Sequence, residues 1–257
     1  MLLPNLSLVQ SAHIILASAS PRRMSILNDQ LPLHVRAVKS SFLEDLDKSQ
    51  YASPGQYAME TAREKALDVF EKCKAPFLSE HQRPPSLVIG ADTIVFADGQ
   101  ILEKPESTEH AREMLRSLSG STHTVCTGVS LVYGGCTVDG SAPYEKAFAE
   151  ETQVTFKTLS EAEIEAYVAS GEPMDKAGGY GIQGLGGVFV TGVVGDYQNV
   201  VGFPLARFCD EVEADRLQAW VDAAPAEKLG SGRTEKVDVI YDDEECANED
   251  ECGLPSD

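Results

Sequence analysis

Apolar and polar positions along this chain switch between two periods, and the switches mark out its elements. Ile14-Ile15-Leu16-Ala17 is short, β-branched and apolar, as a buried strand is. Ser20 suits an N-cap and Pro21 a first helical position, so a helix is predicted from about Arg22 to Asn28, with Met24, Ile26 and Leu27 as its apolar contacts. Leu33–Val38 alternates like a strand, and Lys39 to Ser53 is polar and loop-like, with an acidic knot at Glu44-Asp45-Leu46-Asp47. Pro54 opens a helix to about Lys72, with Tyr57, Thr61, Lys65 and Asp68 on one stripe and Ala58, Ala62, Ala66 and Val69 on another. Ala75 to Pro85 reads as a loop. Leu87 to Asp92 is a buried-strand pattern ending in a carboxylate; the chain stays extended to Ala97, turns at Asp98-Gly99 and returns over Gln100–Leu102.

Ser107 caps a helix reaching Leu118, and Ser119-Gly120 ends it. Two long strands follow, near Thr122–Tyr133 and Ala147–Phe156, separated by a Gly/Ser-rich excursion from Gly134 to Tyr144. A Ser-x-x-Glu capping box, Ser160 to Glu163, starts a helix that ends near Ser170-Gly171. A glycine-rich loop, Gly178 to Gly187, leads into a strand over Val188–Val194, and a last helix runs from Leu205 to about Val221. Strands alternating with helices, together with antiparallel hairpins, predict an α/β fold built on a mixed, twisted sheet with flanking helices.

Size and charge narrow this picture. A chain of 257 residues with 42% hydrophobic residues can bury a large core, as one domain or as two lobes. The formal net charge of −20 argues against nucleic acid or an anionic membrane as partner. Nine of the acids crowd into Val237–Asp257, which has no Lys or Arg. We therefore expect residues 1–12 to be an N-terminal extension, residues 13–221 a single functional domain, and residues 222–257 an acidic, disordered tail. Six scattered cysteines without a C-x-x-C pair fit reduced intracellular thiols rather than a zinc site or a disulfide scaffold. The first ten residues lack a basic n-region, and no stretch reaches the roughly 18 apolar residues of a membrane span, so a cytoplasmic protein is expected. A homodimer is compatible with such a chain, and nothing in the sequence fixes it.

Candidate chemistry gathers at a few points. The turn after the first strand offers two serine hydroxyls, Arg22, Arg23 and a helix N-terminus, all suited to a polyanion; taken alone, the pattern equally fits a capped surface helix. Asp92, at a strand end, can take a proton from water or orient a metal, and can equally be a turn-forming aspartate. Lys104 follows the hairpin and could reach the same end of the sheet. Gly179-Tyr180-Gly181-Ile182-Gln183-Gly184 matches G-x-G-x-x-G, but it leads into a strand instead of a helix, so a dinucleotide site is rejected. What survives is a flexible loop whose glycines let backbone approach a ligand, with Gln183 as its one amide.

Taken together, these stretches resemble the Maf family of nucleoside triphosphate pyrophosphatases. The resemblance rests on Leu16–Arg23, Gly90-Ala91-Asp92-Thr93, Glu103-Lys104-Pro105, Leu118–His123, Thr127-Gly128-Val129, Gly171–Gly178 and Gly195–Gly202, collinear over roughly residues 13 to 220. It implies two lobes around a deep cleft, similar to inosine triphosphate pyrophosphatases. It also implies hydrolysis of a nucleoside triphosphate to the monophosphate and pyrophosphate, with a divalent cation, Mg²⁺ or Mn²⁺, as cofactor. Carried onto this sequence, Asp92 corresponds to the proton acceptor, and Arg22, Thr93 and Gln183 to specificity positions. Lys65 and Lys104 match phosphate-facing lysines, Ser18 and Arg23 belong to the same substrate-binding turn, and Glu44 with Asp92 would hold the metal. Fewer acids surround Glu44 than in many bacterial members. The runs from Gly171 and Gly181 look like the branch acting on dTTP and UTP. A non-catalytic nucleotide-binding regulator, of the septum-inhibitor kind, is the competing expectation; it would need no proton acceptor.

Overall fold

The computed structural model describes residues 2–79, 85–134 and 143–222. Among these residues seven strands form one sheet: β1 (Ile14–Leu16), β2 (Arg36–Ala37), β3 (Leu87–Ala97), β4 (Gln100–Leu102), β5 (Thr122–Tyr133), β6 (Tyr144–Phe156) and β7 (Val190–Val194). Their order is β2-β1-β3-β5-β6-β7, with β4 beside β3. The pairs β1/β2 and β1/β3 are parallel and all others antiparallel, as a mixed sheet was expected to be. Among the described residues eight α-helices accompany it: α1 (Leu6–Ser11), α2 (Pro21–Ser25), α3 (Pro54–Ser79), α4 (Thr108–Leu118), α5 (Glu161–Ala169), α6 (Tyr197–Val201), α7 (Leu205–Glu211) and α8 (Ala214–Asp222). Among the described residues no helix is long and apolar enough to cross a membrane.

One register detail makes the cleft. Along one edge β3 pairs with β5 from Leu87 to Phe96. Along the other edge it pairs with β1 only at Leu87–Ile89 and with β4 only at Val95–Ala97. Between them, Gly90 to Ile94 has no ladder partner on that side among the described residues. The chain leaves β1 through Ser18 and leaves β4 through Lys104, one from each end of the gap. Two apolar clusters meet there: one carries Leu16, Ala91, Val201 and Phe203, the other Val95, Val125, Tyr180 and Phe189. These are the two lobes.

Helix α3 crosses the sheet at unusually short range. A Cβ at Gly90 would stand 1.9 Å from the Ala62 carbonyl oxygen, and one at Gly128 would stand 2.2 Å from the Ala58 backbone. Those two glycines let the helix lie directly on β3 and β5, and so bring Lys65, three residues past Ala62, down onto Asp92. The apolar stripe Ala58, Ala62, Ala66 and Val69 is fully buried, and so are Tyr57 and Thr61.

Several elements differ from expectation, each for a local reason. Strand β3 runs on to Ala97, so Asp92 sits mid-strand; what ends near it is the parallel pairing with β1. Only Arg36–Ala37 of the Leu33–Val38 run joins the sheet, because the Asn28 side chain takes both the N–H (2.7 Å) and the carbonyl (3.1 Å) of Val35. Helix α3 continues past Lys72 to Ser79. The expected last helix is broken at Val212, which turns extended (φ −64°, ψ 126°) and is buried. Near the N-terminus, Leu2 and Val9 are fully buried and the Leu2 N–H donates to the Cys209 carbonyl at 2.6 Å. Most of the Gly134–Tyr144 excursion and nearly all of the acidic tail lie outside the described residues.

Candidate active site

The turn after β1 is built around Arg23. Ser20 caps α2, accepting the Arg23 N–H at 3.5 Å, with Pro21 at the first helical position. The Arg23 guanidinium donates through Nε to the Gly202 carbonyl (2.9 Å), through Nη1 to Ser18 Oγ (3.0 Å) and through Nη2 to Thr93 Oγ1 (2.9 Å). Thr93 Oγ1 also lies 3.0 Å from Thr127 Oγ1. Burial pulls the Arg23 pKa down, and the neighbouring Asp92 carboxylate pushes it back up. Arg22 faces the opposite wall instead, its Nη1 3.0 Å from Asp175 Oδ2. Three of the five Arg23 N–H groups are thus spent on the protein, whereas Arg22 holds an exchangeable, partly exposed ion pair. Helix α2 is a single turn before the chain passes into a π-turn over Ile26–Gln30, so its dipole adds little to anion binding.

On the other face of β3, Lys65, Asp92 and Glu44 converge. Lys65 Nζ is 2.8 Å from Asp92 Oδ1 and 2.7 Å from Glu44 Oε2, and both Lys65 and Asp92 are 8% exposed. Glu44 reaches this point from a loop held in a left-handed conformation (φ 56°), an uncommon state for a non-glycine residue. Asp68 supplies the restraint. Its Oδ2 accepts Ser40 Oγ and the Ser41 N–H, both at 2.8 Å, and its Oδ1 accepts Ser41 Oγ at 3.0 Å, tying the Glu44 loop to α3 one turn past Lys65. Burial would raise the Asp68 carboxyl, but these bonds and Lys72 hold it below the usual range.

Glu172, Asp175, Lys176, Tyr180 and the glycine loop form the facing wall. All nine residues singled out from the sequence (Ser18, Arg22, Arg23, Glu44, Lys65, Asp92, Thr93, Lys104 and Gln183) line one cavity of about 610 Å³. That is within the size range of small-ligand sites. Lys104 and Gln183 are exposed in it and have no hydrogen-bond or ion-pair partner among the described residues. Because the cavity wraps the open edge of β3, it reaches the Lys65–Asp92 face and the Thr93 face together.

Sequence reasoning gave no role to Glu172, Asp175 or Tyr180. The glycine loop also differs from its reading as flexible backbone awaiting a ligand. A Cβ at Gly184 would sit 2.4 Å from Glu172 Oε1, and one at Gly186 would sit 2.7 Å from the Tyr167 hydroxyl. These two glycines admit groups of the chain itself. Tyr180 supports the loop from below: its hydroxyl lies 2.8 Å from Nε2 of buried His123, whose pKa burial lowers to about 4.

Two carboxylates facing one ammonium leave a net negative charge at Lys65. The oxygens are hard donors, and Mg²⁺-type sites commonly use one or two carboxylates completed by substrate phosphates. Glu44 and Asp92 fit such a cation. No group of three or more His, Cys, Asp or Glu residues suited to a metal exists among the described residues.

A family model described as Maf-like protein matches residues 13–214. A human protein named probable bifunctional dTTP/UTP pyrophosphatase/methyltransferase protein is 50% identical over 200 residues, 78% of this chain and 31% of that protein. The chain therefore spans about a third of that relative. The dTTP/UTP pyrophosphatase of Bacillus cereus (strain B4264) is 44% identical over 201 residues, 78% of this chain and 94% of that enzyme. Among solved structures, the Staphylococcus aureus Ham1 protein aligns at 17% identity and a TM-score of 0.30, covering 56% of this chain and 71% of that one.

Proposed function

This chain belongs to the Maf-like family, and on that footing we propose that it hydrolyses dTTP and UTP to the nucleoside monophosphate and pyrophosphate, water attacking the α-phosphorus. The observation that carries the reading is the bridge of Lys65 between Asp92 and Glu44, inside a cleft that also holds Lys104, Arg22 and Gln183.

Each residue has a task that follows from its surroundings. Asp92 accepts the proton of the attacking water, and Lys65 orients its carboxylate at 2.8 Å. The leaving pyrophosphate gains negative charge as the bond breaks. Lys104, without a partner among the described residues, and Arg22, able to exchange Asp175 for phosphate, answer that charge. Glu44 and Asp92 would hold Mg²⁺ or Mn²⁺, which when bound neutralises phosphate oxygens and polarises the reacting phosphorus. Arg23 and Ser18 contribute by fixing the turn, and Thr93 by holding Arg23.

Base choice falls to Gln183. Its amide can donate to a ring carbonyl and accept from a ring N–H, the pair that uracil and thymine present. A site built for such bonds penalises bases that leave them unmade, by roughly 1–3 kcal/mol per group. A regulator that only bound nucleotide would have no use for an acid buried against a lysine, so the enzyme is the better reading. A cytoplasmic setting accords with the free thiols of Cys73, Cys126 and Cys209. The test is a nucleotide panel with Mg²⁺ or Mn²⁺, scored for monophosphate and pyrophosphate. We expect UTP and dTTP to be turned over well and purine triphosphates poorly; a preference for GTP or ATP would overturn the role given to Gln183.

A further inference from the structure

The loop that carries Gln183 contains Gly181, Gly184, Gly186 and Gly187, so it has few side chains with which to fix its own shape. Two internal bonds give it turns: Gly184 N–H to the Gly181 carbonyl (3.2 Å) and Gly187 N–H to the Gly184 carbonyl (3.1 Å). Neither ties it to the wall of the cleft. Ile182 packs against the apolar core, and the hydrogen-bonded tie comes from one carboxylate. Glu172 Oε2 accepts the Leu185 N–H at 2.8 Å, and Glu172 Oε1 accepts the Gly186 N–H at 3.2 Å. Oε1 also accepts the Tyr167 hydroxyl at 3.0 Å, and the oxygen of that hydroxyl accepts the Gly181 N–H at 3.1 Å. Backbone on both sides of Gln183 is thus anchored, directly or through Tyr167, to Glu172.

Glu172 is itself held. It follows Gly171, whose φ of 76° turns the chain out of α5, and its N–H donates to Ser170 Oγ at 3.2 Å. Lys176 Nζ donates to its carbonyl at 2.7 Å and also pairs with Asp175, which grips Arg22. A covalent and hydrogen-bonded path therefore joins Arg22 on one wall to the Gln183 loop on the other. The close approach of Glu172 to Gly184 explains a glycine there without any appeal to a phosphate.

We propose that Glu172 is the positioning residue for base selection: it sets where the Gln183 amide stands and thereby how well a pyrimidine is told from a purine. This rests on the proposed reading of Gln183 as the group that meets the base. Glu172 lines the same cavity, but both of its carboxylate oxygens are engaged by the loop and Tyr167, so its action on the base runs through Gln183. Its action requires an acceptor at both oxygens, because three donors converge on them.

Glu172→Gln tests this with nearly unchanged volume. One acceptor becomes an NH₂ that faces another donor, so the loop loses a tether while the fold keeps its core. The measurement is equilibrium binding of α,β-imido-UTP and α,β-imido-GTP, which needs no turnover, together with kcat/KM for UTP and GTP. It is made on the full chain, Gln183→Ala, Glu172→Gln and the double variant. We expect the UTP-over-GTP preference to fall about tenfold in either single variant and to fall no further in the double variant. Tyr167→Phe, which loosens the Gly181 side alone, should lower the preference by a smaller factor, and it stands in if Glu172→Gln does not fold. Should Gln183→Ala lower the preference while Glu172→Gln and Tyr167→Phe leave it intact, the positioning role is overturned and the reading of Gln183 stands. Should Gln183→Ala leave the preference unchanged, that reading falls and the positioning role falls with it. A fully additive double variant would show that Glu172 acts by another route, against the proposal.

Discussion

Arg22 and Arg23 are adjacent in the chain and chemically identical, yet the structure gives them opposite tasks, and lysine substitution separates the two. The Arg23 fork serves three acceptors in three directions: Gly202 O, Ser18 Oγ and Thr93 Oγ1. A lysine ammonium cannot span them, and at least one part-buried acceptor is left without its donor. Each such acceptor costs about 1–3 kcal/mol; the two hydroxyls can rotate to other partners, so we expect a total of about 2–3 kcal/mol. For a domain of this size 1 kcal/mol moves Tm by roughly 2–4 °C, so Arg23→Lys should melt about 4–12 °C below the parent. Arg22→Lys gives up one cross-cleft pair, with side chains 29% and 61% exposed, worth at most about 1 kcal/mol. Its Tm should move by less than about 4 °C, while kcat/KM on UTP falls about tenfold through loss of the planar fork. Thermal unfolding followed by circular dichroism, run beside the pyrophosphate assay, reads both. Equal melting losses in the two variants, or an Arg23→Lys protein melting within about 2 °C of the parent, would refute the division of labour.

The other substitutions probe the proposed proton acceptor, the helix–sheet contact and a buried histidine. Asp92→Asn keeps size and hydrogen bonding but removes the proposed base; kcat should drop by about 10² or more with α,β-imido-UTP still bound. Gly90→Ala drives a methyl to 1.9 Å from the Ala62 carbonyl, backbone that cannot step aside, and should cost about 3 kcal/mol or more in chemical denaturation. His123 titrates at about 4 when folded and near 6.5 when unfolded. Between those values the unfolded chain holds the extra proton, so stability is full above about pH 6.5 and declines as pH falls toward 4, by up to roughly 3 kcal/mol. His123→Gln, which cannot titrate, should flatten that slope in melts taken from pH 7 to 4.5.

How much of this was legible beforehand depended on whether a residue's partner lay nearby in the chain. The Ser20 cap, the Ser160–Glu163 box, the Asp98-Gly99 turn and the two stripes of α3 rest on contacts a few residues apart, and the structure contains all of them. The nine candidate site residues were singled out through the family resemblance, and they line one cavity; periodicity alone left Asp92 and the turn with Arg22 and Arg23 open to bland readings. What escaped were contacts set by tertiary packing. Asn28 taking both backbone groups of Val35 shortened β2, and burial of Val212 broke the last helix. Glu172 was invisible for the same reason: its partners Leu185 and Gly186 lie 13 and 14 residues away, and a carboxylate after a glycine has no local pattern. The glycines at 184 and 186 were the available signal, and they point to a close approach without saying by what.

The most direct measurement is hydrolysis of UTP in ¹⁸O-enriched water with Mg²⁺, the products separated and weighed by mass spectrometry. The account predicts UMP and pyrophosphate, with the heavy oxygen on UMP, because water activated at Asp92 attacks the α-phosphorus. Label in the pyrophosphate, or UDP and phosphate as the products, would contradict it.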